Sequence, residues 1–230
     1  MTVILLRHGR SMANITHTLA GRSEGVELDQ KGIAQAEALV ERVSGLPIKA
    51  LVRSPLLRCR LTLEPLAAAL GMAVFIDERL AEVDYGQWTG RQLSELTSEP
   101  LWSVVQQQPS AAVFPGGESL AQVQARAVEA VREHDRRFAA EHGTDALWVA
   151  CTHGDVIKAV LADALGTHLD SFQRITADPA SMSVIRYTEL RPFVLHVNHT
   201  GAQLASALTA VSRPVEGSGH SEAVVGGSTD

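Results

Sequence analysis

Three short runs of the chain are apolar on both faces: Thr2-Val3-Ile4-Leu5-Leu6, Ala50-Leu51-Val52 within 49–53, and Leu147-Trp148-Val149-Ala150-Cys151. Each is too short for a helix and lacks the alternation of a half-wetted strand, the pattern of a central strand covered on both sides. Between them the period lengthens. Residues 28–46 predict a helix with Asp29 as cap, a stripe through Ile33, Ala36, Leu39, Val40 and Val43, and a stop at Gly45 and Pro47. Residues 55–70 predict a second, opened by Pro55 and closed by Gly71. Pro65 falls inside it and is expected to kink or split it, because proline lacks the N–H and its ring crowds the preceding turn. Residues 118–142 predict the longest helix, with Leu120, Val123, Ala127, Val128, Val131 and Phe138 on one face, and 156–165 predict another. Residues 183–188 and 193–197 are β-branched and aromatic and flank Arg191-Pro192, which predicts a C-terminal hairpin.

Strands alternating with helices predict an α/β fold, a three-layer α/β/α sandwich with a mostly parallel central sheet and the C-terminal hairpin at its edge. Residues 84–117 depart from the pattern, with Trp88, Trp102, three successive glutamines and Pro-Gly-Gly, and read as an excursion covering one end of the sheet. From about Pro214 the chain is rich in glycine and serine with no apolar period. The expected organisation is therefore one domain over 1–212 and a disordered tail over 213–230.

Composition narrows the functional classes. The 230 residues are 45% hydrophobic and carry a net charge of −6, which argues against a general nucleic-acid binder but admits a small anionic substrate held by a few arginines. No apolar run approaches the ~18 residues of a membrane helix. The opening MTVILLRHG has no basic region and no small-residue cleavage site, so a cytoplasmic location without membrane contact is expected. Cys59 and Cys151 lack C-x-x-C spacing and read as reduced, buried thiols.

The candidate chemistry lies where strands end. Arg7-His8-Gly9 closes the first run and Thr152-His153-Gly154 follows the third. Open α/β sheets bind ligands beyond the carboxyl ends of their strands, so two histidines 145 positions apart can face each other. A single histidine is more often structural, and the weight rests on the pair together with the arginines. Arg58 follows the strand 49–53 on the first turns of the next helix and belongs to the same rim. Its planar fork matches phosphate or carboxylate oxygens. Arg7 ends a buried strand, where a charge must be paired or face a ligand. Glu82, Asp84 and Glu118 compete on composition for any acid–base role. His196 and His199 are expected to point to opposite faces of a strand, and no ligand set suggests a metal.

These residues resemble a family. RHGRSMAN at 7–14 is similar to the opening signature of the histidine phosphatase superfamily, the phosphoglycerate-mutase-like fold, and more specifically its phosphatase branch. The resemblance continues in SPLLRCRLT at 54–62, LAEVDYGQWTG at 80–90, PGGES at 115–119 and CTHGDVI at 151–157, in the family's order over roughly 1–200. It implies that His8 is the nucleophile and forms a phosphohistidine. It implies that Arg7, Arg58 and His153 hold the phosphate oxygens, that Asn14 also contacts the phosphate, and that Thr152 and the Gly154 backbone flank the pocket. It picks Glu82 as general acid. Leu63 and Cys59 stand where many relatives carry alanine, and Arg22 is not assigned to substrate.

The expected activity is a metal-independent phosphatase without cofactor, acting on small phosphate monoesters, with homodimerisation left open. The alternatives are a cofactor-dependent phosphoglycerate mutase and a silent phospholigand-binding module. Only 34 residues separate Glu82 from Gly117, and the family's mutases carry a longer segment there that caps the site against water.

Overall fold

The computed structural model describes residues 1–201. The expected tail over 213–230, and the domain boundary before it, lie outside the described residues. Six strands form one sheet: β1 (Thr2–Arg7), β2 (Ile48–Arg53), β3 (Val74–Ile76), β4 (Leu147–Thr152), β5 (Met182–Tyr187) and β6 (Pro192–His199), in the order β3-β2-β4-β1-β5-β6. The first four run parallel, and β5 and β6 are antiparallel, which is the predicted mostly parallel sheet with a terminal hairpin. β3 has no counterpart among the predicted elements. It is a three-residue edge strand with its side chains partly in solvent, so no apolar run marks it.

Alternation along β1 divides the core. Val3 and Leu5 enter the cluster packed by α6 (Leu120–His142) and α7 (Gly154–Ala164). Ile4 and Leu6 enter the cluster packed by α2 (Gln30–Arg42) and α3 (Leu57–Leu70). Because successive side chains point to opposite faces, a run apolar at every position requires helices on both sides. That is the three-layer sandwich.

The helices start where the polar caps allow. Asp29 accepts from the Gly32 N–H at the head of α2. At the head of α6 the Gln122 N–H reaches the Ser119 hydroxyl at 3.1 Å and the Ser119 N–H reaches Gln122 Oε1 at 2.8 Å. These are reciprocal caps of donors that have no intrahelical partner. Three expectations are corrected. The α2 stripe is rotated, since Ile33 and Val40 are exposed while Gly32, Ala36 and Leu39 face inward. Pro65 does not split α3, which is one helix from Leu57 to Leu70 with Thr62, Leu63 and Leu66 around the proline packed into the core. His196 and His199 lie together, their ring centroids 5.9 Å apart, because Asn198 takes φ 55° and the β5–β6 register shifts. Among the described residues no group of three or more His, Cys, Asp or Glu side chains has metal-binding geometry, and no helix is long and apolar enough to cross a membrane.

The excursion after Glu82 consists of short pieces, α4 (Leu93–Leu96), α5 (Pro100–Gln107) and single turns. Trp88 packs on Trp102 and Phe114, so aromatic burial rather than helical period holds it. Glycines let its two ends meet. A Cβ on Gly86 would lie 2.2 Å from the Pro115 carbonyl, and one on Gly117 would lie 2.1 Å from that of Asp84.

Candidate active site

β1 and β4 are neighbours, with Arg7 opposite Thr152, so the residues that follow them leave the sheet side by side. The His8 N–H donates to the Thr152 carbonyl at 3.0 Å, and the rings of His8 and His153 meet edge to face at 5.3 Å. The 145-residue separation in sequence closes through one parallel strand pair.

The turn after His8 is held by α3. The Gly9 N–H donates to Thr62 Oγ1 at 2.8 Å, and that hydroxyl donates to the Arg58 carbonyl at 2.6 Å. A Cβ on Gly9 would stand 2.8 Å from the Gly32 carbonyl, so the close approach of α2 requires glycine here. Five residues further on, in α1 (Met12–Ile15), Asn14 Oδ1 accepts from both the N–H and the hydroxyl of Ser11 at 2.9 Å. The oxygen is thereby occupied and the Nδ2 donors remain for the cleft, which Asn14 lines.

His8 is held in one tautomer. Its Nδ1 lies 2.8 Å from the Gly9 carbonyl, which can only accept, so Nδ1 carries the proton. Arg58 Nε, which can only donate, lies 3.3 Å from His8 Nε2. Nε2 therefore presents a lone pair. Burial, followed by repulsion from Arg58 and Arg7, lowers the His8 pKa well below the usual imidazole value, so the ring is neutral at physiological pH.

Arg58 is almost fully buried and fixed by donation from Nη2 to the Gly21 carbonyl at 2.8 Å, while its Nη1 is buried with no hydrogen-bond partner. Arg7 is wholly buried and donates from Nη1 to the Ala177 carbonyl at 2.7 Å. Burial lowers the pKa of both guanidiniums, and the nearby Glu82 carboxylate opposes that effect.

Glu82 stands against these cations, 4% exposed. Its Oε1 accepts from the Val83 N–H at 3.0 Å, and its backbone carbonyl is gripped by Arg22 Nε at 2.9 Å and Arg126 Nη2 at 3.2 Å. Burial, followed by repulsion from Asp155, raises its pKa to about 7 against the pull of Arg58 and Arg7. The competing carboxylates have structural partners. Asp84 caps the Gly86 N–H at 3.0 Å, and Glu118 binds the Asp84 N–H, Arg22 and Arg126. Of the three candidates, Glu82 alone lines the cleft with Arg7, His8, Asn14 and Arg58.

His153 lies against His8, their rings edge to face, and Gly154 follows it. His153 is fully buried behind His8, with Nε2 at 2.7 Å from Ser54 Oγ and Nδ1 without a hydrogen-bond partner. Gly154 begins α7, and neither residue is part of the cleft wall. Thr152 also flanks from behind, donating from Oγ1 to the Leu80 carbonyl at 2.7 Å and so tying β4 to the segment that carries Glu82. Cys59 and Cys151 are buried and unbridged.

Sequence reasoning missed a buried polar chain beneath Glu82. Tyr85 donates from its hydroxyl to Asp155 Oδ2 at 2.7 Å, and Asp155 Oδ1 lies 3.4 Å from Lys158 Nζ. Lys158 also donates to Gln173 Oε1 at 2.6 Å and sits 4.1 Å from the Phe172 ring centroid. A signal was present: Asp155 and Lys158, spaced i,i+3, interrupt the apolar first turns of the helix directly after a strand-end histidine.

The match to known proteins agrees with this geometry. The model of the histidine phosphatase superfamily (branch 1) covers residues 3–200. Phosphoserine phosphatase 1 of Hydrogenobacter thermophilus is 31% identical over 206 residues, 86% of this chain and 92% of its own. A Proteus mirabilis protein named "Probable phosphoglycerate mutase GpmB" is 32% identical over 152 residues, 62% of this chain and 70% of that one. Among solved structures, a mycobacterial glucosyl-3-phosphoglycerate phosphatase complexed with VO3 is 25% identical, with a TM-score of 0.77 over 86% of this chain and 99% of that one. Bacillus stearothermophilus YhfR is 25% identical, with a TM-score of 0.79 over 87% and 98%. With nearly every described residue inside the family match and a relative aligned along most of both lengths, this chain belongs to branch 1 of the histidine phosphatase superfamily and is a phosphoric monoester hydrolase.

Proposed function

We propose that the chain hydrolyses small phosphate monoesters through a phosphohistidine on His8, without a metal ion. The observation that carries this reading is the state of His8. Nε2 carries the ring's lone pair because the Nδ1–Gly9 contact puts the proton on Nδ1, Arg58 Nε faces that lone pair at a long 3.3 Å, and the ring is kept neutral by burial and two arginines.

His8 Nε2 attacks phosphorus and the N–P bond forms as the ester P–O bond breaks. Arg7, Arg58 and the Asn14 amide screen the phosphoryl oxygens as charge redistributes. Arg58 Nη1, which has no hydrogen-bond partner among the described residues, supplies a donor for that purpose. The leaving alkoxide takes the proton of Glu82, whose pKa of about 7 keeps a substantial fraction protonated at neutral pH. In the second half Glu82, now a carboxylate, takes a proton from water. The water oxygen attacks phosphorus, the N–P bond breaks, and phosphate leaves. His153 supports the ring of His8 from behind.

Rapid-quench labelling with a radiolabelled phosphate ester tests the reading. A transient protein-bound phosphate, stable in alkali, labile in acid and absent from His8→Ala, is expected, with inorganic phosphate as the product. Isomerised ester in place of free phosphate would mark a mutase instead. Turnover without a labelled protein would remove the covalent step.

A further inference from the structure

Ser54 lies fully buried on the segment that joins β2 to α3. Its N–H donates to the Cys151 carbonyl at 2.9 Å, which clamps it to β4 two residues before His153. Its hydroxyl oxygen stands 2.7 Å from Nε2 of His153 and accepts from the Leu56 N–H at 3.3 Å. His153 is neutral, because burial, followed by repulsion from Arg58, His8 and Arg7, lowers its pKa well below the usual imidazole value. Two ring nitrogens therefore share one proton. If Nε2 held it, the Ser54 hydroxyl would accept twice, its own proton would have no acceptor among the described residues, and buried Nδ1 would keep a bare lone pair. If Ser54 instead donates to Nε2, the hydroxyl is satisfied as donor and as acceptor, and a single group is left over, the N–H of Nδ1. A buried polar group left unpaired costs free energy, so the second arrangement is favoured. Cys59 Sγ, 3.5 Å from Nε2, does not alter the count, since its thiol has the Thr152 carbonyl as acceptor at 3.6 Å.

We propose that Ser54 is a positioning residue: its hydroxyl donates to His153 Nε2 and so keeps the ring's proton on Nδ1, making the histidine packed against His8 a donor for phosphoryl oxygens. The inference rests on the phosphatase reading, in which His8 carries the phosphoryl group beside a ring whose centroid is 5.3 Å from its own. The oxygens of a dianionic phosphoryl group only accept hydrogen bonds. A bare Nδ1 would repel them, whereas Nδ1–H replaces part of the water they lose. The leftover N–H thus has a counterpart in Arg58 Nη1, also buried without a partner among the described residues, and the acceptor for both arrives with the substrate.

Nitrogen-15 NMR of the wild type labelled in its histidine rings, with His153 assigned against His153→Gln, should show the proton on Nδ1 and a bare Nε2. Ser54→Ala should release that tautomer, lower kcat/KM on an alkyl phosphate about 10-fold or more and weaken vanadate binding by a similar factor. A disturbed fold would lower activity as well, so a double-mutant cycle separates the two causes. With His153→Gln in place, Ser54→Ala should cost nothing further, and losses that multiply would overturn the positioning role. The tautomer is read without substrate, so a proton on Nε2 in an active wild type overturns the role of Ser54 alone. A wild type that releases phosphate from no ester overturns the phosphatase reading, and this role with it.

Discussion

Arg58 donates from Nε toward Nε2 of His8 at 3.3 Å while its Nη2 is anchored on Gly21, so one guanidinium both orients the proposed nucleophile and lines the cleft proposed to take the phosphate. The two residues are 50 positions apart and are brought together because α3 starts at the carboxyl end of β2, two strands from β1 in the sheet. His8→Ala should lower kcat on any ester by at least ~10³-fold, since nothing else in the cleft presents an unprotonated ring nitrogen. Arg58→Lys keeps a charge but loses the fork, and should cost about 10²-fold or more in kcat/KM. Steady-state kinetics on an alkyl phosphate check both, and a tenth of wild-type activity in His8→Ala would remove it from the nucleophile's role.

In the proposed mechanism guanidiniums meet the charge on the phosphoryl oxygens, and activity should therefore survive exhaustive treatment with EDTA. Vanadate, which adopts the five-coordinate geometry of phosphoryl transfer, should inhibit at concentrations below those of substrate. Loss of activity on chelation, restored by zinc or magnesium, would contradict the proposed mechanism.

Burial raises the Glu82 pKa first, and the groups facing it, Asp155 from α7, the Val83 N–H, Arg58 from α3, Arg7 from β1 and the neighbouring Tyr85, adjust it. As general acid Glu82 must be protonated, and with a pKa of about 7 it loses that proton as pH rises through neutrality. kcat/KM on an alkyl phosphate should thus fall above about pH 7, while the strongly depressed His8 stays neutral throughout that range. Asp155 raises the Glu82 pKa by repulsion, so Asp155→Asn should move the decline to lower pH. Because Lys158 would then be a buried cation without its carboxylate, Asp155→Asn with Lys158→Met separates the electrostatic effect from misfolding. A pH profile unchanged in the folded double variant would reduce Asp155 to a structural role.

How much of this was legible in the sequence depended on the kind of signal. Apolar runs such as Val3–Leu6, Ala50–Val52 and Leu147–Cys151 marked β1, β2 and β4, because burial on both faces favours apolar side chains at successive positions. Resemblance of RHGRSMAN and CTHGDVI located the two histidines, and strand-end logic placed them on one rim. β3 escaped because three half-wetted residues make no pattern, and the rotation of α2 escaped because Gly32 carries no hydrophobicity although its backbone faces Arg10. The Tyr85–Asp155–Lys158 chain escaped for a different reason. Its members pair across 70 positions, and composition reads an isolated aspartate or lysine as a solvated residue until the fold shows it buried.

Glu82 and Asp84 are two residues apart, yet only the first faces the cations, and the leaving group can tell them apart. An alkyl phosphate departs as a strongly basic alkoxide and needs a proton in the transition state. A p-nitrophenyl ester departs as a stable phenolate and needs little. Glu82→Gln should therefore lose about 10²–10⁴-fold on the alkyl ester and far less on the nitrophenyl ester in the phosphorylation step. The same carboxylate would activate water in the second step, which would slow both substrates equally in steady state, so the comparison is made on single-turnover bursts. Asp84→Asn disturbs the Gly86 turn but not the proton, and should show no dependence on the leaving group. Equal losses on both esters in Glu82→Gln would make the residue structural. Leaving-group dependence in Asp84→Asn alone would move the acid to Asp84 and leave His8, Arg7 and Arg58 in their proposed roles.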